Sequence, residues 1–166
     1  MPFVYSVTSI QQGVMTTSGT PNTEIDHTFH KPGSARACGI QGLYVQGKGA
    51  GLTALSGIIF RLKKWTTTAS SGGTSVTPTP HDEGMQACKA TCGFGTSGGT
   101  AAVTSGTGGP TYLGAIGCGA AGPGGWVAPN PDSVKLLEAG GNKSIDLFSA
   151  SGTASLSWEA TIEHVE

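Results

Sequence analysis

Glycine occurs 28 times in 166 residues, spread almost end to end among serine, threonine and proline, so little of the chain is left for a long helix. Glycine costs a helix interior about 1 kcal/mol relative to alanine and proline roughly 3, whereas turns and bulges accept both. The punctuation therefore predicts many short strands separated by turns. A helix-poor chain of this kind, with almost no ionisable constellations, is suited to being a surface that packs and assembles rather than a scaffold for chemistry.

Hydrophobic residues make up 37% of the chain and the net charge is −1, so nothing holds the polypeptide open by self-repulsion. A single domain over residues 1–166 is expected, with an N-terminal segment 1–12 and a Gly/Ser/Thr-rich loop 95–109. Its core is large enough to need no disulfides. Only 11% of residues are charged, against about 25% in an average soluble domain. Low charge with many small polar residues suits a protein that covers part of its surface with copies of itself or with a partner.

The balance of charge argues against nucleic acid, whose binders gather Lys and Arg into a patch. The basic cluster Arg61, Lys63 and Lys64 is expected on a strand, with Arg61 and Lys63 on a solvated face and Phe60 and Leu62 on the other. No apolar stretch is long enough to span a bilayer as a helix. Residues 1–6 carry neither the basic start nor the apolar core of a secretory signal, which predicts a product made in the cytoplasm.

Alternation of apolar and polar residues between turn signals marks strands over 3–10, 35–45, 52–65, 85–94, 112–116, 126–128, 134–137, 145–148 and 156–165. The last is the clearest, with Leu156, Trp158, Ala160 and Ile162 alternating with Ser157, Glu159, Thr161 and Glu163. Eight to ten short strands at this spacing predict an all-β fold, a β-sandwich with jelly-roll topology.

Chemical motifs are sparse. Cys88 and Cys92, four apart on an expected strand, would lie roughly 13 Å apart at about 3.3 Å per residue. A disulfide needs less than about 7 Å, so the two are not expected to bond each other, though either could meet Cys38 or Cys118 across strands. With no tight C-x2-C pair, buried free thiols are the reading, and no metal or cofactor is expected. His27 and His30 flank Phe29 in an expected loop, His81 adjoins Asp82 and Glu83, and His164 stands apart, none in a ligand pattern.

Gly95-Thr96-Ser97-Gly98-Gly99 fits the nucleophile-elbow string, but no helix-forming sequence follows Ser97. The G-x-G-x-x-G strings from Gly93 and from Gly117 lack the helix a phosphate cradle needs. Among the acids, Glu159 and Glu163 occupy the polar face of the last strand and Asp132, Glu138 and Asp146 lie in or near turns, so no carboxylate pair is placed for acid–base work. No catalytic residue is expected and the chain reads as a non-enzyme. Trp65, Trp126 and Trp158 are candidates for a sugar-stacking platform, with core packing favoured for Trp158 and an interface for Trp126.

Three segments carry a resemblance: residues 52–62 (LTALSGIIFRL), 126–132 (WVAPNPD) and 144–156 (SIDLFSASGTASL). Their style over about half of the chain resembles small structural proteins of tailed bacteriophages, and within that group head decoration, or cement, proteins. The resemblance implies a β-rich subunit, commonly a homotrimer, bound to the major capsid protein on the outside of an icosahedral head, in a virion assembled in the host cytoplasm. It brings no catalytic residues. Interface residues expected on this reading are Phe3, Tyr5 and Ile10 of the N-terminal run, and Trp126. A tail, baseplate or fibre-associated β domain, or a carbohydrate-binding module using Trp126 or Trp65, are the alternatives.

Overall fold

The computed structural model describes residues 4–11, 24–48, 58–95, 103–118, 123–129, 135–140, 142–150 and 157–166. These residues form fourteen strands and no helix. In chain order they are β1 (Val4–Gln11), β2 (Glu24–Lys31), β3 (Cys38–Lys48), β4 (Ile58–Trp65), β5 (Ser71–Gly72), β6 (Thr74–Val76) and β7 (Thr79–Pro80). There follow β8 (Thr91–Phe94), β9 (Val103–Thr104), β10 (Thr111–Cys118), β11 (Gly124–Val127), β12 (Lys135–Leu137), β13 (Ser144–Ala150) and β14 (Ser157–Val165).

Eight of these strands pair in nested fashion: β1 with β14, β2 with β13, β3 with β11 and β4 with β10, all antiparallel. The nest folds into two sheets. One runs β11-β3-β14-β1-β7, with β12 also on β3, and the other runs β10-β4-β13-β2-β8-β6. Strands that pair across the nest therefore alternate with strands from the other half of the chain, β14 between β3 and β1, β13 between β4 and β2. This interleaving is the jelly roll, the sandwich topology predicted from strand spacing.

The core lies between the sheets. Ile40, Leu43, Val45, Ala160 and Ile162 come from the first sheet, and Phe60, Leu62, Cys92, Ile116, Ile145 and Leu147 from the second. Ile40 and Leu43 are both fully buried although their odd spacing would put them on opposite faces of a regular strand. A bulge resolves this: His164 pairs with Ile40 and Glu163 with Gly42, so Gln41 is the extra residue. The Gln41 carbonyl accepts from Ala128 N at 2.7 Å.

Strand 85–94 is shorter than predicted, beginning at Thr91, because residues 85–90 cross the end of the sandwich instead of joining its sheet. Strand β2 was expected as loop. Its inward positions are Thr28 and His30, opposite Leu147 and Ile145, so polar residues stand where an apolar signal would be read.

The Arg61–Lys63 face is only half solvated. Arg61 is exposed, but Lys63 is buried at 1% exposure because a second layer covers this outer face of the β4–β13 pair. That layer consists of residues 66–72 and 103–109, joined by the β5–β9 pair and by Thr67 N and Thr68 N donating to Thr107 O at 3.1 and 3.3 Å. Beneath it lie Phe29, Phe148, Lys63 and Asp146, all buried. The Lys63 ammonium sits 4.4 Å from the Phe148 ring centre and 4.8 Å from that of Trp65. Asp146, expected near a turn, is instead a fully buried residue of β13 in register with Lys63.

Gly106 is what lets the layer close. A Cβ there would fall on the Thr68 carbonyl oxygen and 2.7 Å from Trp65 Cγ. Gly106→Ala is therefore expected to destabilise the fold by about 1–3 kcal/mol, read as a lower urea midpoint with unchanged slope.

Candidate functional site

At the end of the sandwich where β14 finishes, the two sheets converge on a cluster of sulfur, nitrogen and oxygen donors. β2 and β8 bring His30 and Cys92, register partners, and β3 begins at Cys38; β14 brings His164 from the opposite sheet. The rings of His30 and His164 meet edge to face, centroids 5.5 Å apart. The crossing segment 88–90 closes the end. Cys88 Sγ lies 3.1 Å from His164 Nε2 and donates to Glu166 Oε1 at 3.1 Å.

Glu166 ties this segment down. Its carboxylate accepts from Lys89 N at 2.8 Å and from Ala90 N at 2.6 Å, and Arg36 Nη1 lies 3.9 Å away. The side chain is only 1% exposed. Such charge-assisted bonds to backbone amides hold a buried carboxylate in one orientation.

Burial governs the protonation of the cluster. It holds His30 down to about 3, with His164 as the second cause, and holds His164 down to about 4 against the upward pull of Glu166. Burial, helped by Glu166, pushes Cys38 up to about 12. Cys88 also rises to about 12, through burial and then its hydrogen bond to Glu166, and Cys92 rises well above the ordinary thiol value. The set at neutral pH is two neutral imidazoles and three protonated thiols. A thiol so raised is no nucleophile, and the group stands as a donor set.

Cys38, Cys88 and Cys92 are free thiols, as the sequence predicts, but Cys88 is half-buried in the crossing segment rather than extended on a strand with Cys92. The loop placement of His30 is corrected too: it is a buried strand residue. No local signal could have joined Cys88, His164 and Glu166, since 76 and 78 residues separate Cys88 from the other two.

The second chemical concentration is the covered outer face. Asp146 accepts from Trp65 Nε1 at 2.9 Å, from Ser144 Oγ at 2.8 Å and from Ser70 Oγ. Ser144 Oγ accepts from Ser70 N at 3.0 Å, and Ser70 Oγ accepts from Gly106 N at 2.8 Å. Ser70 is the member that fastens the second layer to β13.

Of the predicted interface residues, Phe3 lies outside the described residues. Tyr5 and Ile10 stand on β1 in register with His164 and Glu159. Trp126 is on β11, separated from β1 by β3 and β14, and is half-buried against the core. Among the described residues, Tyr44 and Val127 are exposed on the outer face of the β3–β11 pair, at 41% and 48%. Ile59 and Tyr112, at 54% and 55%, lie on the outer face of the β4–β10 pair. Tyr112 lines a shallow groove with Arg61, Leu113, Gly114 and Ala115.

No protein-family model matches the chain and no curated protein matches it. Two solved structures of infectious bursal disease virus are similar over 99% of this chain, one of the Gx strain at 14% identity and TM-score 0.27, and one of the T13 viral particle at 13% and 0.25. The chain spans 40% and 39% of the length of those proteins. With scores this low, the fold rests on the strand order above.

Proposed function

We propose that this chain is a virion structural protein, a decoration subunit that binds the outer surface of an icosahedral phage head and braces it by bridging shell subunits. The observation that carries the reading is an eight-stranded jelly roll with exposed aromatic and aliphatic side chains on both outer faces, in a chain with only 11% charged residues. Tyr44 with Val127 on one face and Tyr112 with Ile59 on the other give two patches, as a subunit needs if it contacts both its own copies and a shell protein. A homotrimer multiplies weak contacts to the major capsid protein, because attachment at one subunit raises the effective concentration of the other two.

The glycan-binding alternative draws less support. Trp65 carries Lys63 against its ring and gives its N–H to Asp146, while Trp126 packs on the core, so neither offers an open stacking face.

The test is sedimentation of purified protein with DNA-filled heads of the phage stripped of decoration. We expect a trimer that sediments with heads, and at least a tenfold weaker association, about 1.4 kcal/mol, for Tyr44→Lys combined with Val127→Lys. A monomer that stays in the supernatant, or attachment to tails alone, overturns the head-decoration reading.

A further inference from the structure

We propose that Cys88, His164 and Glu166 form a zinc-binding site that clamps the crossing segment to the end of β14. The inference is independent of the decoration role.

One donor atom from each of the three residues lies within 4.8 Å of the other two. Two of the three pairs, Cys88 Sγ to His164 Nε2 and Cys88 Sγ to Glu166 Oε1, are 3.1 Å. A tetrahedral zinc with sulfur at about 2.3 Å and nitrogen or oxygen at about 2.0–2.2 Å sets its donors roughly 3.4–3.7 Å apart. Those two pairs would open by only about half an ångström to admit the ion.

The mixture of one sulfur, one nitrogen and one oxygen selects the metal class. Calcium and magnesium take oxygen donors, whereas thiolate with imidazole suits zinc and its neighbours. The surroundings hold the carboxylate ligand in place. Backbone amides of Lys89 and Ala90 orient the Glu166 carboxylate, as outer partners do in known sites. His30 stands ring to ring with His164 behind the triad, fully buried; the three residues leave a fourth position for water. Half-buried Cys88 beside exposed Lys89 provides an entry path. On binding, zinc takes the Cys88 sulfur as thiolate and the displaced thiol proton leaves to solvent.

The experiment is titration of the full chain, first stripped with chelator, using zinc chloride by calorimetry and cobalt chloride by absorbance. One equivalent should bind, with a thiolate-to-cobalt charge-transfer band and the visible bands of a tetrahedral ion. Cys88→Ser should abolish the charge-transfer band and weaken zinc at least a hundredfold. Glu166→Gln serves if the serine variant fails to fold, and should weaken zinc at least tenfold. His81→Ala, an exposed histidine elsewhere, should change nothing. Folded wild-type protein that gives no charge-transfer band overturns the proposal, as does a band that survives in Cys88→Ser.

Discussion

Asp146→Ala is expected to lower stability by about 4 kcal/mol or more, the largest effect of any single substitution considered. The mutation removes a fully buried carboxylate that accepts from Trp65, Ser70 and Ser144. Hydrogen bonds to charged groups contribute about 1.5–3 kcal/mol each, and the donors left behind are themselves desolvated. Asp146→Asn, which keeps one acceptor oxygen, should fall between. Equilibrium urea denaturation reads both variants, and a loss under about 1 kcal/mol for the alanine variant would show that the second layer holds without this network.

Acid should destabilise chelator-treated protein from about pH 6 downward. His30 and His164 have folded values of about 3 and about 4 against 6.5 when unperturbed. Below 6.5 the unfolded chain takes up protons that the folded chain refuses, so stability is complete above that pH and is lost as pH falls toward the folded values. Each histidine contributes a slope of up to about 1.4 kcal/mol per pH unit, so the pair removes about 3 kcal/mol between roughly pH 6 and 4.5. Glu166 faces His164 and moderates its share, with Arg36 beyond the carboxylate; Cys88 touches His164 and Cys92 is the register partner of His30. Urea midpoints across this range in wild type and His30→Phe should show the slope halved in the variant. Parallel slopes would remove His30 from the account.

Periodicity made most of the sandwich legible, because one buried face writes an apolar residue at every second position. The β14 pattern through Ala160 and Ile162, and the Phe60–Leu62 alternation of β4, are read directly as inner-face positions. β2 is not legible in the sequence because its inner positions are Thr28 and His30 while its buried aromatic, Phe29, faces the second layer. Lys63 reads as solvated in the sequence because a lone sheet has one wet face, and nothing local announces that residues 66–72 and 103–109 return to cover it. The donor cluster was illegible in principle, since only the nested pairing brings position 88 beside 164 and 166.

The order β3-β14-β1 places the last strand between two of the earliest, with Val4 in register against Val165. Until residues 157–166 have been synthesised, β3 and β1 have no common neighbour and each leaves a row of amides and carbonyls unanswered. β14 acts as a keystone: assembly of that sheet waits until residues 157–165 have been made, folding is dominated by contacts remote in sequence and is correspondingly slow, and a chain stopped short of β14 offers two open edges to any passing strand.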